Sequence, residues 1–432
     1  MNKTIVALST ARGRSAIAVV RMSGDDAINI AKKFFEPFPK QANYLRVGTL
    51  HTEQFDEHAM CVYFAAPHSY TGENTVEFHC HGGTAVCQAV IEQCIANGAA
   101  PAQNGEFSKR AFINGKQNLT NAEGIIEMID AETTSAVKAG ANLLENKLGK
   151  KIVELQNVLL DMISACEAAL DYPEEDLELP TVNTVQNGLG ELVNKLNELI
   201  STATLGKIAK YGINVAIVGA PNVGKSSLLN ALLGTDRAIV SDIKGTTRDT
   251  LTESVNYKDI RFNFVDTAGI RETQDVIELE GVRRAQKASD EADVVLHVVD
   301  NPSDRSVFPT TRPQIRIYNK SDLFDNPPCC ADSITVSAKS GNVEVIKSAL
   351  YEMFSAGEIE NSDLLITNER HLSCLKTARE QLLTASQDCD TATLDIVTNS
   401  LKTAWDTLGQ ITGSTAQEDI IDRIYSKFCL GK

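Results

Sequence analysis

The chain has 432 residues, 43% of them apolar and 23% charged, with a formal net charge of −16 at pH 7, a composition that fits roughly two to four soluble globular domains. The acidic balance excludes a protein that holds nucleic acid by bulk electrostatics, so any RNA contact has to be local or shared with a partner. No stretch has the apolar length of a membrane span, the N-terminal MNKTIVALSTARGRS lacks the apolar core of a secretory signal, and ten cysteines without a C-x-x-C pair read as reduced thiols, so a cytoplasmic protein without a membrane partner is expected.

In chain order, Ile17 to Met22 reads as a strand, Asp25 to Phe35 as a helix capped near Ser23, and Thr75 to Cys80 as an alternating strand before the turn Gly82-Gly83. Thr84 to Asn97 carries apolar residues at Val86, Cys87, Val90, Ile91, Cys94 and Ile95, which is helical spacing, and Gly98 stops it. Residues 1–117 are therefore expected to form a self-contained α+β domain. His79 and His81 share one face of their strand, but no third ligand group sits at useful spacing, so they read as packed or surface histidines rather than a metal site.

At Leu119 the texture changes. Thr120-x-x-Glu123 has the form of a capping box, and helical periodicity runs from there to Leu170, where Asp171-Tyr172-Pro173 ends it. A second helical block covers Val182 to Thr202. Helical texture returns after about Ser355, over Asn368 to Ala385, Thr391 to Leu408, and Thr415 to Phe428, the last opened by a second capping box, Thr415-x-x-Glu418. Helices on both sides of the intervening segment leave apolar stripes uncovered, so residues 118–210 and 356–432 are expected to build one bundle, with 211–355 as an insertion.

The inserted segment opens with INVAIVGAPNVGKS. Ile213 to Val218 reads as a buried strand that breaks at Gly219 into a phosphate-binding loop ending Gly224, Lys225, Ser226. Backbone N–H groups of such a loop converge on one concavity at the positive end of the following helix. Lys225 adds a point charge for the outer phosphates, and the Ser226 hydroxyl is placed to ligate Mg2+. Strand Arg261 to Val265 runs into Asp266-Thr267-Ala268-Gly269, where the carboxylate can hold Mg2+ through water and the glycine N–H can sense a γ-phosphate. Strand Ile315 to Tyr318 leads to Asn319-Lys320-Ser321-Asp322, whose aspartate can accept both N–H groups of the guanine edge, a pair that adenine does not offer. Strand Ile334 to Val336 runs into Ser337-Ala338-Lys339, expected to close over the base. Four ordered motifs at strand ends point to GTP rather than ATP. Between the first two, Gly245-Thr246-Thr247-Arg248-Asp249 is expected to order when a threonine hydroxyl completes the Mg2+ shell beside a γ-phosphate. The residue after Gly269 is Ile270, which cannot orient water, and the segment Arg271 to Glu278 offers several carboxylates among which spacing does not choose.

The whole chain resembles the MnmE (TrmE) family of bacterial tRNA-modification GTPases. Tyr70-Thr71-Gly72-Glu73, Gly105-Glu106-Phe107-Ser108-Lys109-Arg110-Ala111-Phe112, Asn114-Gly115-Lys116, the GTTRD segment, Ile366-Thr367-Asn368-Glu369-Arg370-His371 and the terminal Phe428-Cys429-Leu430-Gly431-Lys432 carry the resemblance. It implies an α+β N-terminal folate-binding and dimerisation domain, a discontinuous α-helical bundle domain, and an inserted α/β Ras-like P-loop GTPase domain. It also implies a homodimer that acts with the flavoprotein MnmG as a heterotetramer and uses GTP, Mg2+ and 5,10-methylene-tetrahydrofolate, with 5-formyl-tetrahydrofolate as a ligand of the same site. The product would be a carboxymethylaminomethyl or aminomethyl group on C5 of the wobble uridine of certain tRNAs.

Residue by residue, the resemblance implies GTP binding by Asn222, Val223, Gly224, Lys225, Ser226, Ser227, Ser241, Asp242, Ile243, Lys244, Gly245, Thr246, Thr247, Asp266, Thr267, Ala268, Gly269, Asn319, Lys320, Asp322, Ser337, Ala338 and Lys339. Ser226 and Thr247 would ligate Mg2+. Asn222, Ser241, Ile243 and Thr246 would cage a K+ that stands where other GTPases use an arginine finger, and Glu278 would act on water when two G domains meet. Arg21, Glu77, Lys116 and Lys432 would bind folate, and Cys429 is either a working thiol of that site or a small apolar contact ending the last helix. One departure is the family's glycine-rich, proline-containing N-terminal turn, which here reads Thr10-Ala11-Arg12-Gly13-Arg14-Ser15. A regulatory GTPase switch of ribosome assembly is the alternative function; it predicts a basic RNA-binding module after the G domain, where this chain returns to helices.

Overall fold

A computed structural model describes residues 3–172, 174, 178–234, 252–266, 277–301, 304, 306–323, 333–354, 359 and 364–432, and of residues 178, 179, 252, 266, 277–282 and 284 the backbone only. The chain divides into two compact units, one of Met1–Ile126, Leu143–Leu192 and Thr377–Lys432, the other of Glu127–Asn142 and Val193–Lys376.

In the first unit β1 (Ile5–Leu8), β2 (Ser15–Ser23), β3 (Phe35–Glu36), β4 (Arg46–His51), β5 (Asp56–Phe64), β6 (Thr75–Gly82) and β7 (Ala100–Pro101) form a sheet in the order β3-β4-β5-β6-β2-β1-β7. Alternation assigns the faces. Ala18, Val20 and Met22 of β2 and Val76, Phe78 and Cys80 of β6 point into one buried core, beneath α1 (Ala27–Ala31) and α2 (Thr84–Ala96). The intervening residues of the same strands, Arg21 and Glu77 among them, point to the other face, which Phe107 of α3 (Glu106–Ile113) helps to cover. The helix expected over Asp25 to Phe35 is cut to α1 because Phe34 and Phe35 turn into the core against Phe78, at ring separations of 5.4 and 5.9 Å.

The periodicity that begins at Leu119 resolves into α4 (Leu119–Asp130), α5 (Thr134–Leu144) and α6 (Lys147–Asp171), followed by α7 (Glu178–Ser201) and α8 (Ala203–Tyr211). Leu148, Ile152, Leu155, Leu159, Ile163 and Cys166 make the buried stripe of α6, which packs along the helix Leu394–Thr412. Both expected capping boxes are displaced. Asn118, not Thr120, caps α4: its Oδ1 accepts the Asn121 N–H (2.9 Å) while Asn121 Oδ1 accepts the Asn118 N–H (3.0 Å), a reciprocal pair built from the stronger capping residue. Thr415 instead donates to the Asp406 carbonyl (2.6 Å), and Gln417 occupies the cap position of the helix Glu418–Tyr425.

The second unit holds a sheet of β8 (Ile213–Val218), β9 (Thr252–Tyr257), β10 (Ile260–Asp266), β11 (Val294–Val299), β12 (Gln314–Tyr318) and β13 (Ile334–Thr335), ordered β13-β12-β11-β8-β10-β9, with only the β9–β10 pair antiparallel. Its helices include α9 (Lys225–Leu233), α10 (Ile277–Glu291) and α11 (Glu344–Met353). Apolar residues fill both faces of β8 and β11, as a parallel strand covered on both sides requires.

The β9–β10 hairpin turns on Lys258 and Asp259, both left-handed (φ 45° and 60°), and projects the Asp259 carboxylate at the first turn of α5. There it accepts Thr134 N (2.8 Å), Ser135 N (2.7 Å) and Ser135 Oγ (2.7 Å), three donors on one carboxylate at the positive end of a helix. Arg261 pairs with Glu132 at 2.6 Å beside it. Asp259→Ala is therefore expected to lower stability by about 1–2 kcal/mol, read as a shift of the urea midpoint at constant slope; an unmoved midpoint would show the cap to be idle.

Candidate functional site

The order β12-β11-β8-β10 places the carboxyl ends of four parallel strands along one edge, and the sequence motifs fall at those ends. β8 ends in the loop 219–224, and α9 begins at Lys225, so Ser226 and Ser227 occupy its first turn. Asn222 is left-handed at φ 66°. Gly224 has φ 94°, and a Cβ built on it would lie 2.4 Å from Asn319 Nδ2, so only glycine lets the loop and the Asn319 side chain approach this closely. Lys225 Nζ donates to the carbonyls of Gly219 (2.9 Å) and Ala220 (2.8 Å), which keeps the ammonium over the loop.

The base-recognition segment is fastened to that loop. Asn319, 1% exposed, donates from Nδ2 to the Val223 carbonyl (3.0 Å) and accepts the Ala338 N–H at Oδ1 (3.0 Å), so one side chain ties the phosphate loop to the Ser337-Ala338-Lys339 segment. Lys320 Nζ donates to the Asn222 carbonyl (2.7 Å) and to Asp300 Oδ2 (2.7 Å). Asp322 accepts the Ser337 hydroxyl at 2.5 Å. That hydrogen bond, reinforced by the charge of Lys339, holds the Asp322 carboxyl below the usual carboxylate range, in the ionised form that accepts two N–H groups of a guanine edge. Asp266 ends β10 opposite Ile217 of β8, next to the phosphate-loop strand. Ser241, Asp242, Ile243, Lys244, Gly245, Thr246, Thr247, Thr267, Ala268, Gly269 and Ile270 lie outside the described residues, as do the side chains of Asp266 and Glu278. The parts in view fit a nucleoside triphosphate: a glycine-lined loop at a helix start, a lysine over it, and an ionised aspartate at the base position. Of the K+ ligands that the resemblance implies, only Asn222 is described.

A second constellation forms in the first unit. Arg21 and Glu77 are directly opposed on β2 and β6, and Arg21 Nε meets Glu77 Oε1 at 2.7 Å. The guanidinium lies 5.4 Å from the centre of the Tyr70 ring and 5.9 Å from that of Phe107, and Tyr70 is fixed in turn by a 2.7 Å hydrogen bond between its hydroxyl and that of Ser108. The chain terminus docks here: Leu430 bridges to Asn104 and packs with Ile5, Ala7, Ala102 and Phe107, while the Gly431 carbonyl accepts the Ser9 hydroxyl at 3.0 Å. Lys432 consequently lies close enough to Arg21 that burial and the guanidinium charge lower its pKa from the usual lysine value. Cys429 is exposed at the start of this tail. Lys116 donates to the Pro67 carbonyl (3.0 Å) and packs over Gly72, two residues from Tyr70.

His79 stands beside Glu77, its Nε2 3.7 Å from Glu77 Oε2, buried and without a hydrogen-bond partner. No group of three or more potential metal ligands occurs among the described residues. A carboxylate paired with an arginine and set beside an unsatisfied ring nitrogen, with the tail lysine near that arginine, fits a ligand with a hydrogen-bonding heteroaromatic edge and an anionic tail, the chemistry of a folate. Tyr70 and Phe107, which frame Arg21, belong to motifs visible in the sequence, but nothing in their spacing gives them this role. Arg12 and Arg14 of the atypical N-terminal turn are exposed, and no helix among the described residues is long and apolar enough to cross a membrane.

Sheet order, phosphate loop and guanine-edge aspartate define a P-loop GTPase domain, joined in one chain to an N-terminal α+β domain and a discontinuous set of helices. Residues 119–429 match the family profile described as "MnmE helical domain", and residues 4–116 match "GTP-binding protein TrmE N-terminus". The chain belongs to the MnmE family of tRNA modification GTPases and is a GTP hydrolase. It is 37% identical over 460 residues to the tRNA modification GTPase MnmE of Desulforamulus reducens, covering 100% of both chains. To the protein of the same name from Acetivibrio thermocellus it is 37% identical over 456 residues, 99% of each. Among solved structures, the G domain of the T. maritima FeoB iron transporter overlays 33% of this chain and 98% of that one with a TM-score of 0.26 at 23% identity, too partial a likeness to carry an argument.

Proposed function

We propose that this protein is a K+-stimulated GTPase that acts as a cytoplasmic homodimer with the flavoprotein MnmG on tRNA. Together they would add a carboxymethylaminomethyl or aminomethyl group at C5 of the wobble uridine, with residues 1–117 binding 5,10-methylene-tetrahydrofolate, 118–210 and 356–432 forming the helical domain, and 211–355 the G domain. When bound, K+ offsets charge developing on the bridging oxygen of GTP, and the folate supplies a one-carbon unit. Asn222 would hold the cation, with oxygens of Ser241, Ile243 and Thr246. Ser226 and Thr247 would face Mg2+, and Glu278 would orient water where Ile270 cannot. Arg21 and Lys432 would bind the folate carboxylates, Glu77 would accept the amine and N–H edge of the pterin, and Lys116 would complete the pocket.

The observation that carries this reading is the docking of the tail that brings Lys432 near Arg21, itself paired with Glu77, in a chain that also bears a phosphate loop and a guanine-edge aspartate. Calorimetry with 5-formyl-tetrahydrofolate, together with tRNA nucleoside content measured with and without MnmG, tests it. Absence of folate binding, with GTP hydrolysis raised by ribosomal RNA, would support the ribosome-assembly switch instead. For the nucleotide half, exchange of K+ for Na+ is expected to slow hydrolysis, and Glu278→Ala to leave GTP affinity within a few-fold while stopping turnover. Hydrolysis indifferent to the cation removes Asn222 from this role, and normal turnover in the variant removes Glu278.

A further inference from the structure

β11 ends at Val299, and the next residue, Asp300, stands at the carboxyl edge of the sheet, where ligands of parallel sheets bind. Its Oδ2 lies 2.7 Å from Lys320 Nζ, and the same ammonium donates to the Asn222 carbonyl at 2.7 Å. Lys320 (φ 61°) and Asn222 (φ 66°) both hold left-handed backbones, a conformation common for asparagine but uncommon for lysine. The Lys320 ammonium joins the two segments, and Asp300 is its anionic partner. Together with the Asn319 bond to the Val223 carbonyl, it clamps two consecutive carbonyls of the phosphate loop.

We propose that Asp300 is a positioning residue for GTP hydrolysis: it holds the Lys320 ammonium against the Asn222 carbonyl and so keeps the phosphate loop in the conformation that binds nucleotide and presents Asn222 to the cation. A flexible lysine shared between a carbonyl and a carboxylate has its direction fixed by the charge–charge contact; without the carboxylate it is free to swing into water. The cation-dependent part of this inference rests on the K+ reading above, and the nucleotide-dependent part does not.

The test is Asp300→Asn, which keeps the size and removes the charge, with Asp300→Glu as the conservative partner. Stopped-flow release of a fluorescent GDP is expected to accelerate about tenfold in Asp300→Asn, and the K+ concentration for half-maximal GTPase activity to rise several-fold, with Asp300→Glu recovering part of both. An idle surface ion pair would move neither. GDP release within twofold of wild type in folded Asp300→Asn overturns the proposal. Should that variant fail to fold, unchanged release and unchanged K+ response in Asp300→Glu overturn it equally. If wild type itself responds alike to Na+ and K+, the K+ reading falls and GDP release alone judges Asp300.

Discussion

Gly224→Ala is expected to lower nucleotide affinity by at least about a hundredfold while leaving unchanged the folate binding proposed for the first unit. Two costs add. The residue sits at φ 94°, where a Cβ meets its own backbone, at about 1–2 kcal/mol. The new methyl would also lie 2.4 Å from Asn319 Nδ2, so the amide has to leave its place between the Val223 carbonyl and the Ala338 N–H. Asn319 is 1% exposed and finds no water to replace those partners, and each buried polar group left unpaired costs about 1–3 kcal/mol. The sum exceeds the 1.4 kcal/mol per decade of affinity at least twofold. Titration of a fluorescent GDP, alongside calorimetry with 5-formyl-tetrahydrofolate, reads both halves. Affinity within threefold of wild type would mean that Asn319 does not lock this loop.

The nucleotide module was the most legible part of the sequence because its chemistry is local. Each motif is a short string at the end of an apolar run, so the strand pattern and the ligand residues confirm one another, and strands β8, β10, β12 and β13 fall within a residue or two of expectation. Helix boundaries read from capping boxes were less secure. Thr120-x-x-Glu123 has the right letters, but Asn118 competes two residues earlier and wins with a reciprocal side-chain pair. Strand β11 carries no motif and was not singled out, which is why Asp300 had no context in the sequence. Folate candidates were illegible without a resemblance, since Arg21, Glu77 and Lys432 are far apart in the chain. Two of them meet only through the β2–β6 register and the third through docking of the tail, both set by tertiary packing rather than by any local pattern.

That tail yields the other large effect. Gly431 lies at φ 91°, and a Cβ there would stand 2.1 Å from the Leu8 carbonyl oxygen, which is backbone and cannot step aside. Gly431→Ala is therefore expected to lift the last three residues off the sheet edge, releasing the Leu430 contact, the Ser9 hydrogen bond and the placement of Lys432 together. Affinity for 5-formyl-tetrahydrofolate should fall at least about tenfold, the worth of one lost charge-assisted contact, with GTP affinity unchanged. Lys432→Ala separates charge from docking: it should reproduce the loss for the ligand's carboxylates while the tail stays in place. pH distinguishes them further. Burial and Arg21 hold the Lys432 pKa below that of a free lysine, so its charge is lost at lower pH in the folded chain than in the unfolded one. The docked tail accordingly gains stability as pH rises into that window, while its grip on an anion weakens. An alkaline decline in folate affinity that begins below the ordinary lysine range, and that Lys432→Ala abolishes, is the expected signature. A profile identical in the wild type and in Lys432→Ala would detach Lys432 from the proposed folate site.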